Sequence, residues 1–194
     1  MPKQTTQRKS DHYYRKHYRS LCQQYDALQF EQVHKDWIGY LSLKPGKALD
    51  VGAGSGRDAR WLADHGWQVL AVEPCDQFRD VGSKINRKEI TWLGDKLPEL
   101  KHVPNKEFNF ILASAVWMHL DIYEQKISFQ RMIDLLDEEG LLVITWRNQG
   151  HDAERTFQHV DESIFRNSII KTDKDSAGRS DVVWKCAIIK KPRS

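Results

Sequence analysis

Three glycines at alternate positions, Gly52, Gly54 and Gly56, form the stretch of this chain best suited to hold a ligand. Glycine adopts positive φ at little cost and has no Cβ, so a bound molecule can approach the bare main chain closely. One acid, Asp50, precedes the glycines, and a second acid, Glu73, follows Gly56 by 17 residues. A carboxylate at that spacing can accept hydrogen bonds from both hydroxyls of a ribose. The pattern therefore predicts a site for a ligand that contains a nucleoside.

The residues around the glycines predict a β-α-β unit that would position both acids. Residues 47–51 are typical of a short buried strand, and apolar residues within 59–66 follow the spacing of a helix. Residues 67–72 form a second apolar run that ends at Glu73. The turn opens onto the helix, whose first N–H groups have no partner within the helix and favour a carboxylate or another anion.

The position of the third glycine distinguishes this turn from a dinucleotide site. The dinucleotide fingerprint G-x-G-x-x-G would require a glycine at position 57, which is Arg57 here. The pattern Asp50-x-Gly52-x-Gly54-x-Gly56, with Glu73-Pro74 downstream, resembles motifs I and II of the class I S-adenosylmethionine-dependent methyltransferases. The alternative is a nucleotide or dinucleotide binder that uses the same fold without methyl transfer.

The resemblance implies a role for each motif residue. In that family the glycine turn passes the methionine part of the cofactor S-adenosylmethionine, and S-adenosylhomocysteine is the product. The turn is formed here by Gly52, Ala53, Gly54 and Gly56. By the same resemblance, Asp50 would lie near the cofactor's amino group, and Glu73 and Pro74 would hold its ribose.

The third predicted strand, residues 89–93, leads to a second polar pair. The resemblance places Asp95 where the family contacts the amino group of adenine. The backbone N–H of the neighbouring Lys96 would donate to a ring nitrogen. An Asx-type turn after the strand is the alternative interpretation of Asp95.

The fourth predicted strand is a continuous apolar run over residues 108–114, typical of a parallel strand buried on both faces. The run resembles motif IV of the family, whose loop lies beside the sulfonium and the substrate. Ser114 is therefore expected at the cofactor and Trp117 at the substrate. The chain lacks the Asn/Asp-Pro-Pro-Tyr/Phe signature at this point, which disfavours methylation of exocyclic base amino groups.

His119 is the best candidate for a catalytic base. The methyl group of the cofactor sits on a positively charged sulfur, so the main task of the protein is to align the acceptor with it. An acceptor that carries a proton must also lose it, and histidine titrates near neutral pH. Alternatively, His119 only orients the backbone or the substrate. Arg147 and Arg179 are candidates for holding a carboxylate or phosphate of the substrate.

The segment before the first strand, residues 11–43, is rich in aromatic residues at helical spacing and predicts two helices. In many relatives of this type such a segment covers the cofactor cleft as a lid. The resemblance makes Tyr14, Tyr18, Tyr25 and His34 candidate substrate contacts. The alternative is that these residues simply bury an aromatic stripe.

Composition sets the class of protein. A length of 194 residues suits a single domain, expected as an N-terminal helical segment over 1–43 and a cofactor-binding core over 44–194. No apolar run approaches the length of a membrane span, and Cys22, Cys75 and Cys186 have neither disulfide nor zinc-site spacing. We therefore expect a cytoplasmic protein with no membrane partner and no metal.

The acceptor is expected to be a small molecule. A methyltransferase acting on RNA or protein is the alternative, since the first twenty residues are basic, with Lys3, Arg8, Lys9, Arg15, Lys16 and Arg19 against Asp11. A solvated tail that leads into a helix explains the same charges. The sequence leaves the oligomeric state open.

Together these patterns predict an α/β, Rossmann-like, doubly wound sheet of about seven strands, with an N-terminal helical lid and an antiparallel last strand. The remaining predicted elements are helices over 76–85, 121–138 and 152–165 and strands over 141–146, 168–172 and 182–190. The whole chain resembles small stand-alone bacterial-type enzymes in the loose grouping with the ubiquinone-biosynthesis methyltransferases.

Overall fold

The computed structural model describes residues 3–42, 44–105, 108–147, 155, 157–175 and 178–193, with the side chains of residues 3–9 left out. The helices are α1 (Lys3–Asp26), α2 (Phe30–Val33), α3 (Arg57–Asp64), α4 (Asp76–Ser83) and α5 (Ile122–Leu135). The strands are β1 (Lys47–Val51), β2 (Gln68–Val72), β3 (Ile90–Leu93), β4 (Phe108–Ala113), β5 (Leu136–Arg147), β6 (Ile169–Lys174) and β7 (Val183–Lys190). Short 3₁₀ turns cover Ile38–Tyr40, Trp117–His119 and Glu162–Phe165.

The seven strands form one sheet in the order β3-β2-β1-β4-β5-β7-β6. The first five run parallel, whereas β7 is antiparallel to both β5 and β6. The predicted Rossmann-like sheet with its antiparallel end is therefore confirmed. The strand order reverses between β1 and β4, and crevices of this kind are where open α/β sheets bind ligands.

Both faces of the sheet are covered, as a doubly wound fold requires. Successive residues of β4 point to opposite faces, because strand side chains alternate. Phe110 packs with Leu62 of α3 on one face, while Ile111 packs with Met132 of α5 on the other. No helix in the described part of the chain combines the length and apolar character that a bilayer span requires.

The N-terminal helices differ from the prediction. A single long helix, α1, begins at Lys3, so the basic residues over 3–10 belong to a helix and not to a tail. The second predicted helix is reduced to the four residues of α2 and a 3₁₀ turn. One face of α1 packs on α4 through a cluster that includes Leu21 and Phe78.

Two other boundaries differ from the prediction. Helix α5 begins with a capping box at Asp121 and Glu124, but it ends at Leu135 because Leu136 pairs with Phe108 in the sheet. The helix predicted over 152–165 is wrong over 157–161, which is irregular, and only the 3₁₀ turn after Asp161 follows. The predicted residues 152–154 and 156 lie outside the described residues.

Candidate active site

A cavity of about 710 Å3 lies at the carboxyl ends of β1, β2 and β4, beneath α1. This volume is within the usual range for a pocket that encloses a small ligand. The predicted site residues that line it are Tyr14, Tyr25, Gly52, Ala53, Gly54, Glu73, Pro74, Asp95, Lys96, Ser114, His119, Arg147 and Arg179. Those that do not line it are Tyr18, His34, Asp50, Gly56 and Trp117.

The glycine turn presents bare backbone to this cavity. Gly52 and Gly54 have φ values of 73° and 55°, which are left-handed conformations that L side chains rarely adopt. A Cβ on Gly54 would lie 3.7 Å from the Tyr25 ring of α1, so this glycine keeps open the space between the turn and the helix. Gly52 and Gly56 differ from Gly54, because a Cβ at Gly52 would meet Val116 at 2.9 Å and a Cβ at Gly56 would meet Trp92 at 2.8 Å. The absence of a Cβ at these two positions therefore allows close packing.

Glu73 stands at the end of β2 with its carboxylate fixed by the main chain. Its Oε2 accepts a hydrogen bond from Gly54 N at 3.0 Å, and its Oε1 accepts one from Cys75 N at 2.8 Å. Burial raises the pKa of Glu73, and the two backbone hydrogen bonds oppose this shift. Each carboxylate oxygen has a second lone pair, so the group can still accept hydrogen bonds from a ligand.

Asp50 lies behind the turn instead of at the cavity surface. Its carboxylate accepts a hydrogen bond from Ala59 N in α3, so the protein's own acid occupies the helix N-terminus that was predicted to attract an anion. Its Oδ2 is buried and has no hydrogen-bond partner among the described residues. Burial, together with the nearby charge of Asp58, raises the pKa of Asp50 well above its ordinary value.

His34 belongs to a buried network beneath the turn and does not face the cavity. Trp37 Nε1 donates to His34 Nδ1 at 3.0 Å, and His34 Nε2 lies 3.2 Å from Asp58 Oδ2. Arg57 Nε donates to the other oxygen of Asp58 at 2.6 Å. Burial alone would raise the pKa of Asp58, but His34 and Arg57 together lower it well below its ordinary value. The prediction that His34 contacts substrate does not agree with this placement.

Asp95 lines the cavity, and both oxygens of its carboxylate accept hydrogen bonds from backbone N–H groups of its own loop. Its Oδ1 accepts from Lys96 N at 2.8 Å, and its Oδ2 accepts from His102 N at 2.7 Å. The loop therefore shows the Asx-type bonding that was the alternative interpretation. Because the Lys96 N–H is already engaged, it is not directed at a ligand in this structure.

His119 faces the cavity from the 3₁₀ turn that follows β4. Its Nε2 lies 2.9 Å from the hydroxyl of Tyr14, and its ring stacks on Phe157 with 5.4 Å between the ring centroids. Burial raises the pKa of Tyr14, although a hydrogen bond and the charge of Arg155 act in the opposite direction. Trp117 of the same turn is fully buried in the core, so it cannot contact a substrate from this position.

The other aromatic candidates of α1 divide between two environments. Tyr25 stacks on Phe78 with ring centroids 6.3 Å apart and lines the cavity beside Gly54. Tyr18 lies outside the cavity, where its hydroxyl accepts a hydrogen bond from Arg19. Sequence reasoning missed Arg155, which lines the cavity but belongs to a stretch for which the sequence predicts only a helix and shows no motif.

Comparisons with known proteins agree with this architecture. The chain is 27% identical over 142 residues to an uncharacterized methyltransferase from Alkaliphilus oremlandii, covering 69% of this chain and 56% of that protein. It is 23% identical over 188 residues to a putative methyltransferase from Geobacillus sp. strain WCH70, covering 91% of this chain and 71% of that protein. The chain thus spans little more than half the length of the first of these relatives.

A similar fold occurs in the crystal structure of Burkholderia thailandensis 1,6-didemethyltoxoflavin-N1-methyltransferase with bound 1,6-didemethyltoxoflavin and S-adenosylhomocysteine. The TM-score is 0.74 at 13% identity, covering 95% of this chain and 88% of that chain. The methyltransferase domain family matches residues 11–173, which include most of α1, the glycine turn, Glu73 and His119. The chain therefore belongs to the methyltransferase domain family.

Proposed function

We propose that this protein transfers a methyl group from S-adenosylmethionine to a small-molecule acceptor. The observation that carries the proposal is the carboxylate of Glu73, held by Gly54 N and Cys75 N beside a bare glycine turn at the switch point of the sheet. A carboxylate fixed in this way can accept hydrogen bonds from the hydroxyls of a ribose.

The residues of the turn fit S-adenosylmethionine both in the hydrogen-bonding groups that they offer and in the space that they leave. Gly52 and Gly54 leave main chain exposed to the cavity, and the Tyr25 ring lies opposite Gly54 as an apolar surface. When bound, S-adenosylmethionine supplies a methyl group on a positively charged sulfur that is a good leaving group. Glu73 and the turn then have the task of fixing the orientation of the bound molecule.

The acceptor end of the proposed site contains His119. Any group that takes the place of the Tyr14 hydroxyl would lie within hydrogen-bond reach of His119 Nε2. An imidazole nitrogen at that distance can receive a proton from a hydroxyl or amine. In the same position His119 could instead hold the acceptor in line without taking its proton, and the pH dependence described below distinguishes the two roles.

A small acceptor agrees with the enclosure of the site. Helix α1 contributes Tyr14 and Tyr25 to the cavity wall, so the acceptor and cofactor must share about 710 Å3 under this helix. The Burkholderia protein with a similar fold holds 1,6-didemethyltoxoflavin together with S-adenosylhomocysteine. Both observations support a small-molecule acceptor over a macromolecule.

Ligand-induced stabilisation tests the cofactor proposal. At 100-fold excess over Kd, S-adenosylhomocysteine should stabilise the protein by about 2.7 kcal/mol, which raises Tm by about 5–10 °C for a domain of this size. NADH at the same concentration should leave Tm unchanged. Stabilisation by NADH but not by S-adenosylhomocysteine would instead identify a dinucleotide binder.

Transfer of a tritiated methyl group into fractionated cell extract tests the acceptor class. Label in the low-mass fraction is the expected result. Label that sediments with RNA or precipitates with protein would contradict a small-molecule acceptor. In that case the basic residues of α1 would be the first to examine.

A further inference from the structure

Three arginines from separate parts of the chain line one end of the cavity. Arg147 ends β5, Arg155 follows in the next segment, and Arg179 lies in the connection between β6 and β7. The pKa of Arg179 is raised mainly by Asp175, and the charge of Arg155 opposes that shift, so the two guanidinium groups are near enough to repel each other. Like charges brought together in a partly enclosed site favour the binding of an anion between them.

The ring of Phe157 connects two of these arginines to the candidate base. Arg147 Cζ lies 4.4 Å from the Phe157 centroid, and Arg155 Cζ lies 5.4 Å from it. The same ring stacks on His119 at 5.4 Å. Both guanidinium groups and the imidazole therefore contact the same Phe157 ring. A short acceptor molecule can span the distance between either guanidinium and the imidazole.

Arg155 is held in a defined orientation. Its guanidinium lies 4.8 Å from the Tyr13 centroid, and it takes part in a hydrogen bond with the hydroxyl of Tyr14. A guanidinium carries five N–H donors in a fixed fork that matches the geometry of a carboxylate or phosphate. The aromatic contact with Tyr13 further limits the directions in which that fork can point.

Arg179 forms an ion pair with Asp175. Its Nε and one terminal nitrogen donate to the two oxygens of Asp175 at 2.9 and 2.7 Å, and Trp184 Nε1 donates to the same carboxylate at 2.8 Å. Arg179 therefore forms the wall of this end of the cavity, whereas Arg147 and Arg155 both lie against the Phe157 ring that stacks on His119.

We propose that the methyl acceptor is anionic, and that Arg147 and Arg155 bind its carboxylate or phosphate beside His119. This inference rests on the proposed methyl transfer, because it assigns the substrate class of the same site. An anion bound there would be oriented by two planar forks, which restrict its rotation more than a single point charge would. The acceptor's nucleophilic atom would then lie toward His119 and the glycine turn.

Calorimetric titration with three probes of the same ring size tests this assignment. Benzoate, phenyl phosphate and the uncharged benzamide are each titrated into protein saturated with S-adenosylhomocysteine, at constant ionic strength. We expect at least one of the two anions to bind about tenfold or more tightly than benzamide, since charge-assisted hydrogen bonds are about twice as strong as neutral ones. Benzoate and phenyl phosphate distinguish a carboxylate site from a phosphate site.

Arginine variants show whether the cluster is responsible. Arg155→Gln should weaken binding of the preferred anion about tenfold and leave binding of S-adenosylhomocysteine unchanged. Arg193→Gln is the matched control, because that arginine is 76% exposed, pairs with Glu139 and does not line the cavity. Arg147 is buried, so the partly exposed Arg155 is the safer position for a variant that must fold.

Equal binding of benzamide and both anions would overturn the proposal, as would unchanged anion binding by Arg155→Gln. Failure of the proposed function gives a different result, because the wild-type protein would then not bind S-adenosylhomocysteine at all. Anion binding that persists with equal affinity without S-adenosylhomocysteine would still support the arginine site, since the arginines belong to the protein alone.

Discussion

Replacement of Glu73 by alanine is the sharpest test of the proposed cofactor site. The carboxylate makes one hydrogen bond to Gly54 N and one to Cys75 N, and each oxygen can accept one more from a ribose hydroxyl. A hydrogen bond to a charged group contributes about 1.5–3 kcal/mol, and water can enter the cavity of the variant and replace part of the loss. We therefore expect Glu73→Ala to weaken binding of S-adenosylhomocysteine by about 1.5–3 kcal/mol, or about ten- to 150-fold in Kd.

The same substitution also affects stability, because two backbone N–H groups lose their acceptor. Cys75 N is buried, and an unpaired buried donor costs about 1–3 kcal/mol, whereas Gly54 N borders the cavity and can bond to water. A loss of this size is smaller than the usual stability of a domain, so the variant should still fold. Urea unfolding measures this term separately from ligand binding.

Calorimetric titration with S-adenosylhomocysteine provides the assay, and Glu99→Ala provides the control. Glu99 is an exposed carboxylate on the loop after β3, and the contact that Arg131 makes there is with its backbone oxygen. The control should bind as tightly as the wild type. If Glu73→Ala unfolds cooperatively and its Kd stays within about threefold of wild type, Glu73 does not bind the ribose of the cofactor.

Three further substitutions test the turn, the acid behind it and the candidate base. Gly54→Val should abolish detectable binding of S-adenosylhomocysteine, because a branched side chain would fill the space between the turn and Tyr25. Gly178→Val is the control, because Gly178 also has a positive φ but has open space around it, and this variant should keep that binding. Burial raises the pKa of Asp50 in the folded protein, so the folded state favours the protonated carboxyl. Its contribution to the free energy of unfolding is fully present below the pKa of Asp50 in the unfolded chain and is lost as pH rises through the pKa of Asp50 in the folded protein. Asp50→Asn should remove this loss, which urea unfolding over a pH series would detect as a flatter profile. His119→Ala should lower kcat about 10²-fold with little change in cofactor affinity. The wild-type kcat should fall as the pH is lowered, because a protonated imidazole cannot act as a base. A kcat of His119→Ala within about threefold of wild type would leave alignment of the acceptor as the mechanism.

The β-α-β unit could be predicted because its determinants are local. The positive φ values at Gly52 and Gly54 require glycine wherever the chain turns in this way, and the short continuous apolar runs identify the buried strands on either side. The position of Glu73 follows from the end of β2, which the apolar run also defines. For these residues the sequence pattern alone is enough to predict the three-dimensional arrangement.

The parts that could not be predicted depend on contacts between distant residues. His34 resembles a lid residue in the sequence, but Trp37 and Asp58 draw it into a buried network. The first residues of β5 continue the sequence pattern of α5. Only the pairing of Leu136 with Phe108 shows that the helix has ended. In each case a tertiary hydrogen bond or sheet contact overrides a local preference that was correctly identified.

The loop after β3 shows how a resemblance can predict the right place and leave the role open. Asp95 does line the cavity, as the family position implied, yet its two oxygens are bound by Lys96 N and His102 N. Glu73 is likewise bonded at both oxygens, and each of the two acids keeps a second lone pair on each oxygen for a ligand. A ribose would donate two hydroxyls to Glu73, whereas an adenine amino group would donate one N–H to Asp95, so Asp95 should contribute less to cofactor affinity than Glu73. The ribose contact at β2, and not the adenine contact at β3, is therefore the interaction on which the proposed cofactor site chiefly depends.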